Sequence, residues 1–240
     1  MEATDFIFEQ LFDDESCTYT YLVGDRAAGV CALVDPVREQ EVRDLGRVRA
    51  LGMQLVYTME THIHADHVTS GNRLAEQLGS RPVVHRESPV TCDALRVGQG
   101  DCFRLGGLAV DVLETPGHTP ESLSYLLRAP GGDKLLTGDA LLIGTCGRTD
   151  FQGGDAGALY DSVHGRLFTL PDATEVYPAH DYQGRRVSTI GVERRSNQRL
   201  ANRTRADFIA LMNGLHLPRP KHIDEALPAN LRCGRPDPQS

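Results

Sequence analysis

One stretch constrains this chain more than any other: Thr61-His62-Ile63-His64-Ala65-Asp66-His67. It sets three imidazoles and one carboxylate within the six residues from His62 to His67. Those donors suit divalent metals such as zinc and iron. The apolar run Leu55-Val56-Tyr57 leads into it and a helix starting near His67 leaves it, which makes it a loop at a strand end. There the scaffold is rigid and the side chains are free to bind.

The rest of the chain narrows what surrounds that loop. Its 240 residues are enough to bury a full core, and the 40% hydrophobic and 24% charged content is that of a globular protein. A net charge of −8 argues against nucleic acid as a partner, since such binders carry a basic balance. No run approaches the roughly 18 apolar residues of a membrane span. The acidic start, Met1-Glu2-Ala3-Thr4-Asp5, has neither the cationic opening nor the apolar stretch of a signal peptide, so the expected compartment is the cytoplasm. The six cysteines (Cys17, Cys31, Cys92, Cys102, Cys146 and Cys233) are scattered, with no Cys-x-x-Cys pair. That pattern predicts reduced thiols and no structural disulfide.

Residue patterning predicts strands over 6–12, 18–23 and 30–34 as an antiparallel meander, then a helix over 38–51 ended by Gly52, and a buried strand over 54–58. A helix follows over 69–78, with a short strand over 82–85. A hairpin turns at Gly106-Gly107 between strands over 102–105 and 108–113. Strands over 123–127, 134–137 and 175–177 and helices over 158–168 and 203–212 complete the reading. Residues 217–240 hold five prolines and little periodicity, which predicts a packed tail. No internal repeat or linker divides the chain, so one domain over 1–240 is expected.

Four strand-like runs are each followed by metal-binding side chains: His62, His64, Asp66 and His67 after the first, then His118, Asp139 and His180. In layered α/β proteins, sites gather at strand ends. Shared placement sets His118 and His180 apart from His85, His164, His216 and His222, which read as surface or helix residues. Spacing alone does not fix the number of metal ions.

Together, Thr61–His67, Pro116-Gly117-His118-Thr119, Thr137-Gly138-Asp139-Ala140 and Tyr177-Pro178-Ala179-His180 resemble the metallo-β-lactamase superfamily. The resemblance implies an α+β fold, an αβ/βα sandwich of two mixed sheets flanked by helices, with metal at one edge. Two branches compete. Three stretches resemble the persulfide dioxygenase branch: Cys146-Gly147-Arg148-Thr149-Asp150-Phe151-Gln152, Tyr177 to Tyr182, and Leu227-Pro228-Ala229-Asn230-Leu231-Arg232-Cys233-Gly234. The alternative is glyoxalase II, which hydrolyses glutathione thioesters at a binuclear centre and usually carries a longer helical C-terminal region than follows His180 here.

The dioxygenase resemblance implies one ferrous ion per chain, held by His62, His118 and Asp139. Two histidines and a carboxylate form the facial triad of non-haem iron oxygenases. His64, Asp66, His67 and His180 would surround the ion, orienting ligands and tuning the metal. The implied partners are glutathione persulfide and O2, giving sulfite and glutathione. For the glutathione carboxylates the chain offers Arg148, Arg194 and Arg199, with Tyr182 two residues beyond His180. Neither nucleic acid nor membrane is expected as a partner, and a homodimer is left open.

Overall fold

The computed structural model describes residues 5–235. Among these residues, twelve strands form two six-stranded sheets. In the first are β1 (Phe6–Asp13), β2 (Thr18–Asp25), β3 (Val30–Val34), β4 (Gln54–Met59), β5 (Arg81–His85) and β6 (Leu95–Val97), in sequence order. β1, β2 and β3 pair antiparallel, whereas β3, β4, β5 and β6 pair parallel. The change of direction comes at β3, because β4 follows helix α1 (Glu41–Leu51), a crossover that parallel neighbours require. Arg38–Gln40 forms a 3-10 turn ahead of α1.

The second sheet contains β7 (Cys102–Leu105), β8 (Leu108–Glu114), β9 (Leu123–Leu127), β10 (Lys134–Leu136), β11 (Glu175–Tyr177) and β12 (Ser188–Thr189), in the order β12-β11-β10-β9-β8-β7. Only β10 and β11 run parallel among its registered pairs. Both sheets are therefore mixed and flanked by helices, as the resemblance implies.

The chain forms two units. The first runs to Val97 and takes in Phe103–Ala109 and the C-terminal stretch from Arg219. Its core joins Leu22, Cys31, Leu33 and Leu55 of the sheet to Leu45 and Val48 of α1 and Leu74 of α2 (Gly71–Leu78). The 3.6-residue spacing of the α1 positions is what brings that stripe onto the sheet. The second unit comprises Gly98–Cys102 and Val110–Pro218. Leu126, Leu135 and Val176 of its strands pack with Leu159 of α3 (Ala156–Ser162) and Phe208 and Met212 of α5 (Arg205–Asn213). Asp155 and Thr204 cap α3 and α5, each side chain accepting a first-turn amide hydrogen bond. A π-turn, Val163–Leu167, continues α3, which is why the expected helix extends to 168.

Three expectations need correction. Cys92 and Cys233 are joined by a disulfide across a sequence separation of 141. Cys17, Cys31, Cys102 and Cys146 are not disulfide-bonded. No sequence motif marks the bonded pair; the fold brings the two cysteines together beside Val84, Val90 and Ala94. The tail is not wholly irregular: α6 (Ile223–Asn230) follows α4 (Ile190–Ser196) and α5 in chain order, and Pro228 inside it disguises the pattern. Finally, His85 is buried at the end of β5, where its Nδ1 accepts the Glu87 amide hydrogen bond at 3.0 Å. Residues 236–240 of the expected tail lie outside the described residues.

Candidate metal centre

The loop after β4 is fixed by a carboxylate that sequence reading passed over. Asp35 ends β3, the parallel neighbour of β4, so the two strands terminate side by side. Its carboxylate accepts the Thr61 amide at 2.7 Å, the Thr61 hydroxyl at 2.8 Å and His64 Nε2 at 3.1 Å. Asp35 sits at φ 50°, in the left-handed region that aspartate tolerates better than most residues. The Thr61 hydroxyl has one proton, given to Asp35, so toward His62 Nδ1, 3.0 Å away, it can only accept. His62 therefore carries its proton on Nδ1, and Nε2 keeps a lone pair for a metal.

The other imidazoles crowd the same loop. The ring centroids of His62 and His64 lie 4.1 Å apart, and those of His64 and His67 4.3 Å apart. His67 Nδ1 meets Asp66 Oδ2 at 2.9 Å, and the Thr18 hydroxyl from β2 donates to the same oxygen at 3.1 Å. Burial disfavours a charged His64, but Asp35, Glu60 and Asp66 outweigh it and hold its pKa well above the usual histidine range. Burial pushes the Glu60 carboxyl upward. Glu60 was a further omission from sequence reading; its Oε1 accepts the Thr69 hydroxyl at 2.5 Å. Donor atoms of His64, Asp66 and His67 lie within 4.8 Å of one another, as do those of Asp35, Glu60 and His64.

In the second unit the donors arrive one per strand end. His118 lies on the loop after β8, pressed against α3. At Gly117 a Cβ would stand 2.3 Å from the Leu159 backbone, so only glycine permits that approach. His118 Nδ1 meets the Arg148 carbonyl at 2.7 Å, and a carbonyl can only accept, so Nδ1 is the protonated nitrogen. Nε2 is left facing Asp139 Oδ2 at 3.5 Å. His180, buried after β11, brings its Nε2 to 3.7 Å from Asp139 Oδ1. Behind Asp139 stands Gly147, whose amide donates to the Asp139 carbonyl at 2.8 Å. A Cβ on Gly147 would meet that carbonyl at 2.4 Å and His118 Nδ1 at 3.0 Å.

The proposed glutathione contacts sit differently. Arg148 forms a paired contact with Asp150, at 2.7 and 2.8 Å, donates to the Pro218 carbonyl at 2.7 Å, and lies 4.5 Å over the Phe151 ring. Arg199 donates to the Cys146 carbonyl at 2.9 Å, in the loop leading to Gly147. Arg194 binds the Phe168 carbonyl at 2.7 Å and pairs with Asp172. Tyr182 is 72% exposed, and its ring lies parallel to His180 with centroids 6.1 Å apart. Burial pushes the Cys146 thiol up to about 11, so it is a packing residue and not a thiolate nucleophile.

Whether these residues suit a metal can be judged from their unsatisfied atoms. Buried polar atoms nearly always find partners. Asp139 Oδ1, His64 Nδ1 and His67 Nε2 are buried with no hydrogen-bond partner. The lone pairs left in this way on His67 Nε2 and Asp139 Oδ1 are what a cation accepts, and such donors fit one.

Residues 15–180 match the metallo-beta-lactamase superfamily, and the chain belongs to it. It is 46% identical over 235 residues to the mouse mitochondrial persulfide dioxygenase ETHE1, covering 98% of this chain and 91% of that protein. The crystal structure of ETHE1 from Myxococcus xanthus superposes with a TM-score of 0.92 at 51% identity, covering 95% of this chain and 100% of that one. A hydroxyacylglutathione hydrolase of Rhizobium meliloti is 35% identical over 174 residues, covering 72% of this chain and 65% of that protein. Within the superfamily the chain falls in the persulfide dioxygenase branch.

Proposed function

We propose that this chain is a persulfide dioxygenase that oxidises glutathione persulfide with O2, using one iron ion held by His62, His118 and Asp139. Near-full-length identity to the ETHE1 persulfide dioxygenases carries the activity. The reaction balances as persulfide, O2 and water giving glutathione, sulfite and two protons. The terminal sulfur loses four electrons to O2, and the S–S bond breaks with its electron pair on the glutathione sulfur.

Bound iron would supply the open positions and redox chemistry that a two-histidine, one-carboxylate set leaves available. The chain's own residues prepare that set. The Arg148 carbonyl and the Thr61 hydroxyl each fix a histidine with its proton on Nδ1. Asp35 orients Thr61, and Gly147 lets the Arg148 loop close against Asp139. His64, Asp66, His67 and His180 would surround the ion and hold protons near it.

For the glutathione part, this reading keeps Arg148, Tyr182, Arg194 and Arg199. The exposed ring of Tyr182 beside His180 has the most direct support. Arg148 combines two roles, since its carbonyl orients His118 while its guanidinium faces the carboxylate of Asp150, which a glutathione carboxylate would have to displace. The compartment in this reading is the cytoplasm, and subcellular fractionation tests it. Among the described residues no helix is long and apolar enough to cross a membrane.

A second reading has one specific support: His67 Nε2 is buried without a hydrogen-bond partner, a lone pair that a second metal ion would take. That arrangement favours a binuclear thioester hydrolase. Metal analysis of anaerobically purified protein, paired with oxygen uptake on glutathione persulfide, separates the two. The dioxygenase holds one iron per chain and consumes O2, while two tightly held ions and thioester turnover support the hydrolase.

A further inference from the structure

The C-terminal segment is built onto the histidine loop through one side chain. Asn230, the last residue of α6, is 4% exposed. Its Nδ2 donates to the carbonyls of His64 and His67, both at 2.8 Å. Its Oδ1 accepts the Thr69 amide at 2.9 Å. One amide thus satisfies three buried backbone groups of a loop about 160 residues earlier in the chain. No other common side chain of this size offers two donors and an acceptor together; aspartate keeps the acceptor and loses both donors.

Neighbouring contacts hold α6 in place. Ala226 and Ala229 pack against Val68. The Asn72 amide donates to the Cys233 carbonyl at 3.2 Å, and the Thr91 amide to the Leu231 carbonyl at 3.0 Å. Three residues past Asn230, the Cys92–Cys233 disulfide makes this attachment covalent. The covalent bond and the amide therefore act on one short segment.

We propose that Asn230 is a positioning residue for the metal centre, setting the backbone from which His62, His64 and His67 project, and that the Cys92–Cys233 disulfide is the latch that keeps it there. This rests on the reading of His62 as a metal ligand. Ligand sites lose affinity when their support shifts by a fraction of an ångström. Asn230 touches no ligand side chain, so its effect passes entirely through the loop backbone.

Cobalt(II) serves as the probe, titrated into the metal-free full chain and followed by its visible absorption. Asn230→Asp preserves side-chain volume and is the main variant, with Asn230→Ala beside it and the melting temperature of each recorded. Losing two neutral hydrogen bonds to the loop should weaken cobalt binding roughly tenfold or more in both variants, with a shifted absorption band. Cys92→Ser should weaken it less, about threefold, because the hydrogen bonds from Asn72 and Thr91 remain. Combining Cys92→Ser with Asn230→Asp should add almost nothing, since a latch acting through Asn230 has nothing left to hold. Wild-type affinity and spectrum in the folded Asn230→Asp protein would overturn the positioning role, and fully additive effects would overturn the latch. Amide hydrogen exchange over residues 62–69 in the metal-free chain reads the clamp independently. Exchange there should speed up in Asn230→Asp, and unchanged exchange also refutes the role. If the wild-type chain takes up no cobalt, the metal reading fails while the exchange result still decides the clamp.

Discussion

In the first unit one loop carries His62, His64, Asp66 and His67, held from below by Asp35, from the side by Thr18 and from behind by Asn230. In the second unit His118, Asp139 and His180 come from three separate strand ends and touch through one carboxylate. The loop is dense and over-determined, and the segment that carries Asn230 is tied down by a disulfide. The second set is supported by the Arg148 carbonyl, the Gly147 amide and the close approach of Gly117 to α3. A crowded loop can lose one donor and keep its shape, because its neighbours stay tied. In a dispersed set each donor is the sole contribution of its strand, so it tolerates less.

That contrast is open to direct attack. The largest effect is expected at the shared carboxylate. Asp139→Ala should abolish iron binding and persulfide oxidation while the secondary structure seen by circular dichroism stays intact; retained iron at wild-type stoichiometry would remove Asp139 from the ligand set. Next comes Gly147→Ala, which adds one methyl group where the Asp139 carbonyl leaves no room. Displacing ligands this way should reduce metal affinity or activity by about 10- to 100-fold, as changes in supporting groups typically do. Isothermal titration with the metal-free protein measures it, and unchanged affinity would show that the second unit is more tolerant than described.

His67→Ala probes the crowded loop. With one metal ion held elsewhere, the variant should keep iron at wild-type stoichiometry and lose activity by about tenfold. Elemental analysis showing half the metal gone would reverse the contrast and favour a binuclear site. Beyond its smaller effect on metal affinity, Cys92→Ser should cost the native state about 2–4 kcal/mol in chemical denaturation, with the midpoint falling in step. An unchanged midpoint would mean the first unit owes its rigidity to hydrogen bonds only. The smallest change is expected for Arg194→Ala. Its pairing with Asp172 is solvent-exposed, and such pairs contribute about 0–1 kcal/mol. That small figure refers to stability; a rise in KM for glutathione persulfide would support the substrate role of Arg194, and an unchanged KM would remove it from the substrate contacts.

The contrast also separates what the sequence disclosed from what it hid. The histidine loop is legible because its donors are local, and local density survives without knowledge of the fold. His118, Asp139 and His180 are legible by a weaker rule, that each follows an apolar strand. Asp35 followed the same rule, yet aspartate before proline reads equally well as a turn, and only the parallel pairing of β3 with β4 reveals its task. Asn230 and the Cys92–Cys233 bond are long-range closures, 141 residues apart in the case of the cysteines, and nothing near either partner announces the other. β6, with three residues, and β12, with two, are too short to show periodicity. The reduced-thiol expectation failed for the same reason: scattered cysteines exclude a compact motif but say nothing about distant pairs.

We propose that this chain oxidises a persulfide with O2 at a single iron. The most direct measurement follows oxygen consumption and sulfite release together, on iron-loaded protein given glutathione persulfide, across preparations of graded iron content. One sulfite should form per O2 consumed, at a rate that rises in proportion to iron and levels off at one ion per chain. Hydrolysis of a glutathione thioester without oxygen uptake on the persulfide, at a rate that follows a second metal ion, would contradict it.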